Sequence, residues 1–275
     1  MLLSSRPMID RDARRFAPER HAAILALLDE EGRLVSTRLA DRLDVSVDTV
    51  RRDLVELEAS GRLRRVHGGA IRPAPGARRF TDRAAEDDGA RAIVAELAAG
   101  LVPHGAVVAI GGGTTALAVA RRVPHDLAAT VVTSSPDVAL ALREHPAVEV
   151  DLLGGRLDRV SQTVVGADTV EQLRAVRPDV VLVGSCGVDP EAGVTFRERE
   201  EARVVRAMVE RAARTVVLAA AGKLGTAGPY VAAATEQIDV LVTDAPRGQL
   251  AAYEARGVTV LAPGAAAEPP AAVGA

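Results

Sequence analysis

Aromatic side chains are almost missing from this chain: no tryptophan, two tyrosines and three phenylalanines in 275 residues, 2% in all. A core must therefore be built from the Ala, Val and Leu that dominate an apolar fraction of 48%. One cysteine, Cys186, excludes an internal disulfide, and its apolar strand-to-loop setting suits packing better than chemistry. The five histidines are scattered without ligand spacing, so neither a metal site nor a cofactor is expected. No apolar run approaches the roughly 20 residues of a membrane span. Arg and Asp interrupt the first residues, so no signal-peptide pattern is read there. The expectation is a cytoplasmic protein with no membrane partner. Lysine is the last near-absence: Lys223 stands alone among 34 basic residues. In a chain that uses arginine so freely, a retained lysine fits a place that needs a compact ammonium instead of a planar fork, an ordinary surface lysine being the alternative.

What charge there is falls unevenly. Residues 1 to 80 hold 16 arginines against 12 acids, and the remainder 18 basic against 25 acidic residues, so a head of +4 precedes a body of −7. No acid occurs from Gly61 through Thr81. A basic head on an acidic body fits a nucleic-acid-binding module attached to something else.

The head reads as three short helices and a ribbon. Ile24, Leu27 and Leu28 form one apolar stripe, ended by Gly32. Ser36 and Thr37 open a shorter helix, capped by Ser36, whose Leu39, Ala40 and Leu43 face inward. Asp44 and Val45 make a tight connection. Ser46 then caps a helix with Asp48 in its first turn and Val50, Leu54 and Leu57 at i, i+4, i+7. Arg51 and Arg52 fall off that face near the helix start. Asp53 and Glu56 either orient them or balance charge. Leu63 to Ala70 can form a two-stranded wing that carries Arg64 and Arg65, with His67 either touching a phosphate or packing on its neighbours. This is the helix-turn-helix plan, in which the second helix presents its first residues to the major groove. Ser36, Thr37, Ser46, Asp48, Thr49, Arg51, Arg52, Arg64, Arg65 and His67 are the candidate DNA-contacting residues.

The run from Arg20 to Ala70 resembles the DNA-binding domain of DeoR-family bacterial repressors. The residues that carry the resemblance are Thr49 to Leu54 (TVRRDL), Leu57, Glu58, Gly61 and His67 to Ala70 (HGGA). It implies that Arg51 and Arg52 sit at the DNA and that the wing follows the backbone.

The body alternates short β-branched runs with helical stretches. Strands are expected at Ala106 to Ile110, Thr130 to Thr133, Val148 to Leu153, Val180 to Val183, Val216 to Ala219, Val240 to Thr243 and Val258 to Leu261. Helices are expected at Ala116 to Arg122, Pro136 to Arg143, Thr169 to Val176, Arg199 to Ala213 and Gln249 to Arg256. The fold class is thus α/β: an N-terminal winged helix-turn-helix (17–72), a linker (73–85), a mainly parallel doubly wound α/β domain (86–262) and a disordered tail (263–275). Residues 1 to about 17 are charged and unpatterned and are expected to be mobile.

Ligands of such sheets bind beyond the carboxyl ends of the strands. Three strands here end in glycines or hydroxyls: Gly111, Gly112, Gly113, Thr114 and Thr115; Thr133, Ser134 and Ser135; Gly154 and Gly155. Lys223 follows a fourth strand. Gly112, Gly113, Thr114, Thr115, Thr133, Ser134, Ser135 and Lys223 form a candidate site for a phosphate-sized anion. The family resemblance continues through the GGGTT run, the TSS triplet, Gly154-Gly155, Val165-Gly166, Pro178 to Thr195, Lys223 to Gly225 and Val242 to Asp244. It implies a sensor domain similar to ribose-5-phosphate isomerase that takes a phosphorylated sugar. The chain departs from the family pattern in two places: Gly111 where an aspartate is usual, and Ala220, Ala221 and Gly222 where an Asp-Ser-Ser run is usual.

The expected function is a repressor of a sugar or carbohydrate catabolic operon. It would be a non-enzyme with operator DNA and a phosphorylated metabolite as partners, acting as a homo-oligomer. The alternatives are an isomerase-like enzyme, with Asp189, Glu191 or Glu198 as base, and a repressor without a small-molecule effector.

Overall fold

The computed structural model describes residues 16–75, 79–86 and 89–264. The expectations for residues 1–15, for most of the tail and for part of the linker lie outside the described residues. The chain divides into two compact units, one ending at Pro73 and the other starting at Ala74.

In the first unit α1 (Ala17–Glu31) is followed by β1 (Arg33–Val35), α2 (Ser36–Leu43), α3 (Val47–Ala59), β2 (Arg64–Val66) and β3 (Gly69–Pro73). The three stripes read from the sequence meet in one core: Ile24, Leu28, Leu39, Leu43, Val50, Leu54 and Leu57 are all buried in it. Asp44, at φ 54°, turns the chain from α2 into α3, a left-handed conformation that Asp tolerates better than most side chains. The strands form an antiparallel ribbon with β3 in the middle: Ile71 pairs with Arg33 on one side and with Arg64 on the other. Gly69 is required there, because a Cβ would stand 1.8 Å from the Leu34 carbonyl oxygen. One detail corrects the sequence reading. Ser36 does not cap α2; it is the helix's first residue, it is buried, and its amide donates to Gly68 O at 2.8 Å. The backbone of the wing turn holds that helix start in place of a side chain.

The second unit opens with α4 (Phe80–Ala84) and α5 (Gly89–Ala99), then β4 (Val107–Ile110), α6 (Thr114–Ala120), β5 (Ala129–Thr133), α7 (Pro136–Leu142) and β6 (Val148–Leu152). After these come β7 (Arg156–Asp158), β8 (Thr163–Val165), α8 (Ala167–Arg174), β9 (Val180–Gly184), β10 (Gly187–Asp189), β11 (Gly193–Phe196) and α9 (Arg199–Arg211). The unit closes with β12 (Thr215–Leu218), β13 (Thr226–Ala227), β14 (Tyr230–Ala233), β15 (Val240–Val242), α10 (Ala251–Glu254) and β16 (Thr259–Leu261). The stretch read as a linker therefore contains α4, anchored by buried Phe80, whose amide donates to Val160 O at 2.9 Å.

Seven strands form one parallel sheet in the order β16-β15-β12-β9-β4-β5-β6, and they are the seven read from the sequence to within a residue or two. Successive residues of the inner strands bury opposite faces. Val108, Ile110, Leu182 and Val216 pack under Val94, Ala98, Ala116 and Val138 of α5, α6 and α7. Ala109, Val181, Val183 and Val217 pack under Leu173, Val205 and Met208 of α8 and α9 and under Tyr253 of α10. Helices cover both faces, as a doubly wound sheet requires. The chain winds outward in one direction through β4, β5 and β6 and in the other through β9, β12, β15 and β16. The reversal lies between β4 and β9, where the connections leave the sheet on opposite sides and open a crevice at the strand ends. Among the described residues, no helix is long and apolar enough to cross a membrane.

Candidate functional site

The first unit presents α3 with its start open. Ser46 Oγ accepts from the Thr49 amide at 3.1 Å and lies 2.9 Å from Thr49 Oγ1, so the cap forms as the sequence implies. Arg51 and Arg52 are exposed one turn further on, and Arg51 Nη1 donates to Asp48 Oδ1 at 3.1 Å. Thr37, Ser46 and Asp48 are exposed on the same pair of helices, Thr49 is half-buried and Ser36 is buried. On the wing, the Arg65 amide donates to Glu58 Oε1 at 3.0 Å, and the Arg64 and Arg65 guanidinium groups lie 3.6 and 3.9 Å from the same carboxylate. Glu58 thus gathers the two wing arginines beside α3. His67 is exposed at the wing turn.

Asp53 does neither of the things the sequence suggested. It is 3% exposed and faces the core, where its two oxygens accept from Arg20 Nε and Nη2 at 2.7 Å each. His21 Nε2 lies 3.1 Å from Asp53 Oδ1. The hydrogen bonds that Arg20 donates to Asp53, working against burial, hold its guanidinium above the ordinary pKa. This pair ties α1 to the exposed helix, and the spacing of Arg20 and Asp53, 33 residues apart, gave no hint of it.

In the second unit the crevice between β4 and β9 deepens into a cavity of about 800 Å³, counted to its open mouth. Gly112, Gly113, Thr114 and Thr115 line it from the end of β4, Gly184, Ser185 and Cys186 from the end of β9, and Lys223 from the turn after β12. Arg83 of α4, Val160 and Ser161, and Phe196, Arg197, Glu198 and Glu201 close the other sides. Lys223 Nζ donates to Ser185 O at 2.7 Å. Gly112 must be glycine: a Cβ would stand 1.9 Å from Thr163 Cγ2.

The structure brings together five of the eight candidate anion-site residues. The TSS triplet serves the fold instead. Thr133 Oγ1 donates to Ile110 O at 2.7 Å and accepts from the Ser135 amide at 3.1 Å, while Ser135 Oγ accepts from the Val138 amide at the start of α7. Ser134 lines only a small recess behind the cavity, shared with Gly112, Thr163 and Glu201. The Gly154 carbonyl accepts from Thr169 Oγ1 at 2.8 Å, which binds that loop to α8. Of the three acids considered as bases, only Glu198 reaches the cavity; buried Asp189 accepts from the amides of Glu191 and Ala192.

Glu201 and Arg83 were missed. Glu201 lies two helical positions into an acid-rich run and Arg83 in an apparent linker, and neither setting marks a ligand group. Burial pushes the Glu201 carboxyl up to about 7, against the opposing pull of Arg83 and Lys223 and with help from Asp158 and Glu198. Burial also raises the Cys186 thiol, with Glu201 adding to it. Asp158 is held below its ordinary range despite burial, because the Ser161 amide and hydroxyl and the Val160 amide donate to it.

An arginine-bearing helix-turn-helix with a wing, joined in one chain to an α/β domain with a charged cavity at its topological switch point, defines the class: a one-component DNA-binding regulator with a sensor domain. Residues 20–75 match the DeoR-like helix-turn-helix domain, and residues 87–245 match the DeoR C terminal sensor domain. The chain belongs to the DeoR family of transcriptional regulators. It is 38% identical over 252 residues to the HTH-type transcriptional regulator GlpR of Haloferax volcanii, covering 88% of this chain and 96% of that one. It is 32% identical to the HTH-type transcriptional repressor GlcR of Bacillus subtilis, over 83% of this chain and 89% of that one. It is 28% identical to the glycerol-3-phosphate regulon repressor of Escherichia coli, over 83% and 91% respectively. Among solved structures, ribose 5-phosphate isomerase A from Neisseria gonorrhoeae aligns over 49% of this chain and 52% of its own, at 16% identity and a TM-score of 0.35.

Proposed function

We propose that the protein is a transcriptional repressor of a carbohydrate catabolic operon. As a homo-oligomer it grips operator half-sites through the start of α3 and the wing, and a phosphorylated sugar or related metabolite in the cavity shifts the population to a form that releases DNA. The observation that carries this reading is the convergence, at one switch point, of the glycine-threonine loop after β4, the only lysine of the chain and two arginines. Glycines let a ligand approach the backbone, and the cations offset a phosphate's charge. Two relatives, the repressor GlcR and the glycerol-3-phosphate regulon repressor, support the same direction. The replaced positions Gly111 and Ala220 to Gly222 leave fewer polar groups near the loop, so the metabolite differs, binds more weakly or makes fewer hydroxyl contacts than in relatives that keep them.

The test uses the full chain. Duplexes selected from a random library by the protein supply the operator, and anisotropy measures its release by sugar phosphates and by the unphosphorylated sugars. Release that needs the phosphate and is lost in Lys223→Ala supports the reading; operator binding that no phosphorylated compound alters favours a repressor without an effector. Turnover is a second reading, because Glu201 supplies a carboxyl near neutrality inside the cavity. Failure of the full chain to isomerise ribose 5-phosphate would remove it.

A further inference from the structure

Three buried side-chain polar atoms among the described residues lack a hydrogen-bond partner, and two of them, Arg83 Nε and Ser185 Oγ, belong to residues that line the same cavity. Ser185 is 6% exposed. An orphaned buried polar atom costs free energy, so two at one wall point to a group that arrives from outside. The same cavity also holds a carboxyl. Glu201 forms part of the wall of the cavity and of the small recess behind it. The charged and titratable groups that face it are Arg83 from α4, Asp158 from the end of β7, Lys223 from the turn after β12, Glu198 from the approach to α9, and the Cys186 thiol.

An acid is out of place in a pocket meant only for an oxyanion. A bare phosphate meets repulsion from Glu201 and leaves the acid's oxygens without donors. A phosphate ester that carries hydroxyl groups has both requirements at once: the phosphate goes to the cations and the glycine-threonine loop, and its hydroxyls donate to the carboxylate, accept from Arg83 Nε and exchange hydrogen bonds with Ser185 Oγ.

We propose that Glu201 is the specificity-determining residue of the cavity, selecting polyhydroxy phosphate esters and turning away bare oxyanions and alkyl phosphates. The proposal rests on the effector reading above and names its chemistry more closely. It also fixes a pH dependence. As pH rises through the range in which Glu201 ionises, the carboxylate repels an anion without hydroxyls more strongly and accepts hydroxyl protons better, so selectivity sharpens.

The experiment is calorimetric binding to the full chain of three probes: inorganic phosphate, butyl phosphate and a panel of alditol phosphates of increasing length. It is run between about pH 6.5 and 8.5, where a monoester with a second pKa of about 6 stays mostly dianionic. At the upper pH an alditol phosphate should bind at least about tenfold more tightly than butyl phosphate, the worth of one hydrogen bond to a charged acceptor. Glu201→Gln should bind butyl phosphate and inorganic phosphate more tightly than the wild type there, narrow the ratio and flatten its pH dependence. Ser185→Ala should weaken the alditol phosphates and leave inorganic phosphate unchanged. Alditol phosphates that bind with the same ratio in Glu201→Gln at both pH values would overturn the proposal and leave the effector reading intact. A folded wild type that binds none of the phosphorylated probes would overturn both.

Discussion

Removing Arg20 from beneath α3 should leave the first unit only marginally stable without touching an exposed side chain of that helix. Arg20→Met keeps the apolar stem of the side chain and deletes the guanidinium that donates twice to Asp53 at 2.7 Å. Asp53 is 3% exposed, so its carboxylate would stay buried with only His21 beside it. Breaking one side of a buried ion pair costs about 3–5 kcal/mol. A small domain has a stability of roughly 5–15 kcal/mol in all, so the unit should become marginal. The pair itself has little net worth over apolar packing, because burying both charges cost free energy to begin with. Arg20→Met combined with Asp53→Leu should therefore recover most of the loss. Urea unfolding followed by far-ultraviolet circular dichroism gives the global change, and hydrogen exchange over α1 and α3 locates it. Operator affinity should fall with Arg20→Met and return in the double variant. A loss below about 1 kcal/mol, the scale of an exposed pair, or a double variant less stable than the single one, would refute the argument.

Three further outcomes follow from geometry already described. Ser46→Ala removes the acceptor of the Thr49 amide and should cost about 1 kcal/mol of first-unit stability, read by the same unfolding curves. Gly112→Ala drives a methyl against Thr163 Cγ2 and should cost about 1–3 kcal/mol, and Thr163→Ser, which deletes that methyl and keeps the hydroxyl, should restore most of it; no rescue would mean that the strain lies elsewhere. Burial raises Glu201 from 4.5 to about 7. Between those values the folded chain holds a proton that the unfolded chain releases, so stability should fall as pH rises through the window and level off above about 7. At ~1.4 kcal/mol per pH unit the total is at most about 3 kcal/mol. The difference between wild type and Glu201→Gln, followed by urea titrations from pH 5 to pH 8 or about that range, should carry that slope; parallel curves would contradict it.

The sheet was legible because each of its seven strands is a short β-branched run that differs sharply from its flanks, and parallel strands buried on both faces have to be written that way. The helix-turn-helix was legible for a similar reason: its stripes and the Ser46 cap are local patterns. The small antiparallel pieces were not. β10, β11 and β14 are three or four residues long, and β10 and β11 are buried throughout, so they show no alternation to read. The order of the strands is likewise absent from any local pattern, and with it the fact that the ends of β4 and β9 are neighbours. The candidate site divides along the same line. Gly112 to Thr115 and Lys223 announce themselves by composition. Arg83 and Glu201 belong to the cavity only because α4 and α9 pack where they do. The TSS triplet misled for the converse reason: hydroxyls after a strand suit a ligand, and they also suit capping and pinning the backbone, which is the use made of Thr133 and Ser135.

The winding of the sheet also sets an order of assembly. β4 pairs with β5 within the first half of the body, but its other edge waits for β9, with Val108 joined to Val180. In chain order β4, β5 and β6 precede β9, so β4 can be paired on one edge while its other edge is still open. The cavity walls come from both sides of that seam and from the turn after β12, so the pocket is complete only once β4, β9 and β12 are together. A ligand bound in the pocket would accordingly act as a clasp on the seam, stabilising the assembled second unit by mass action.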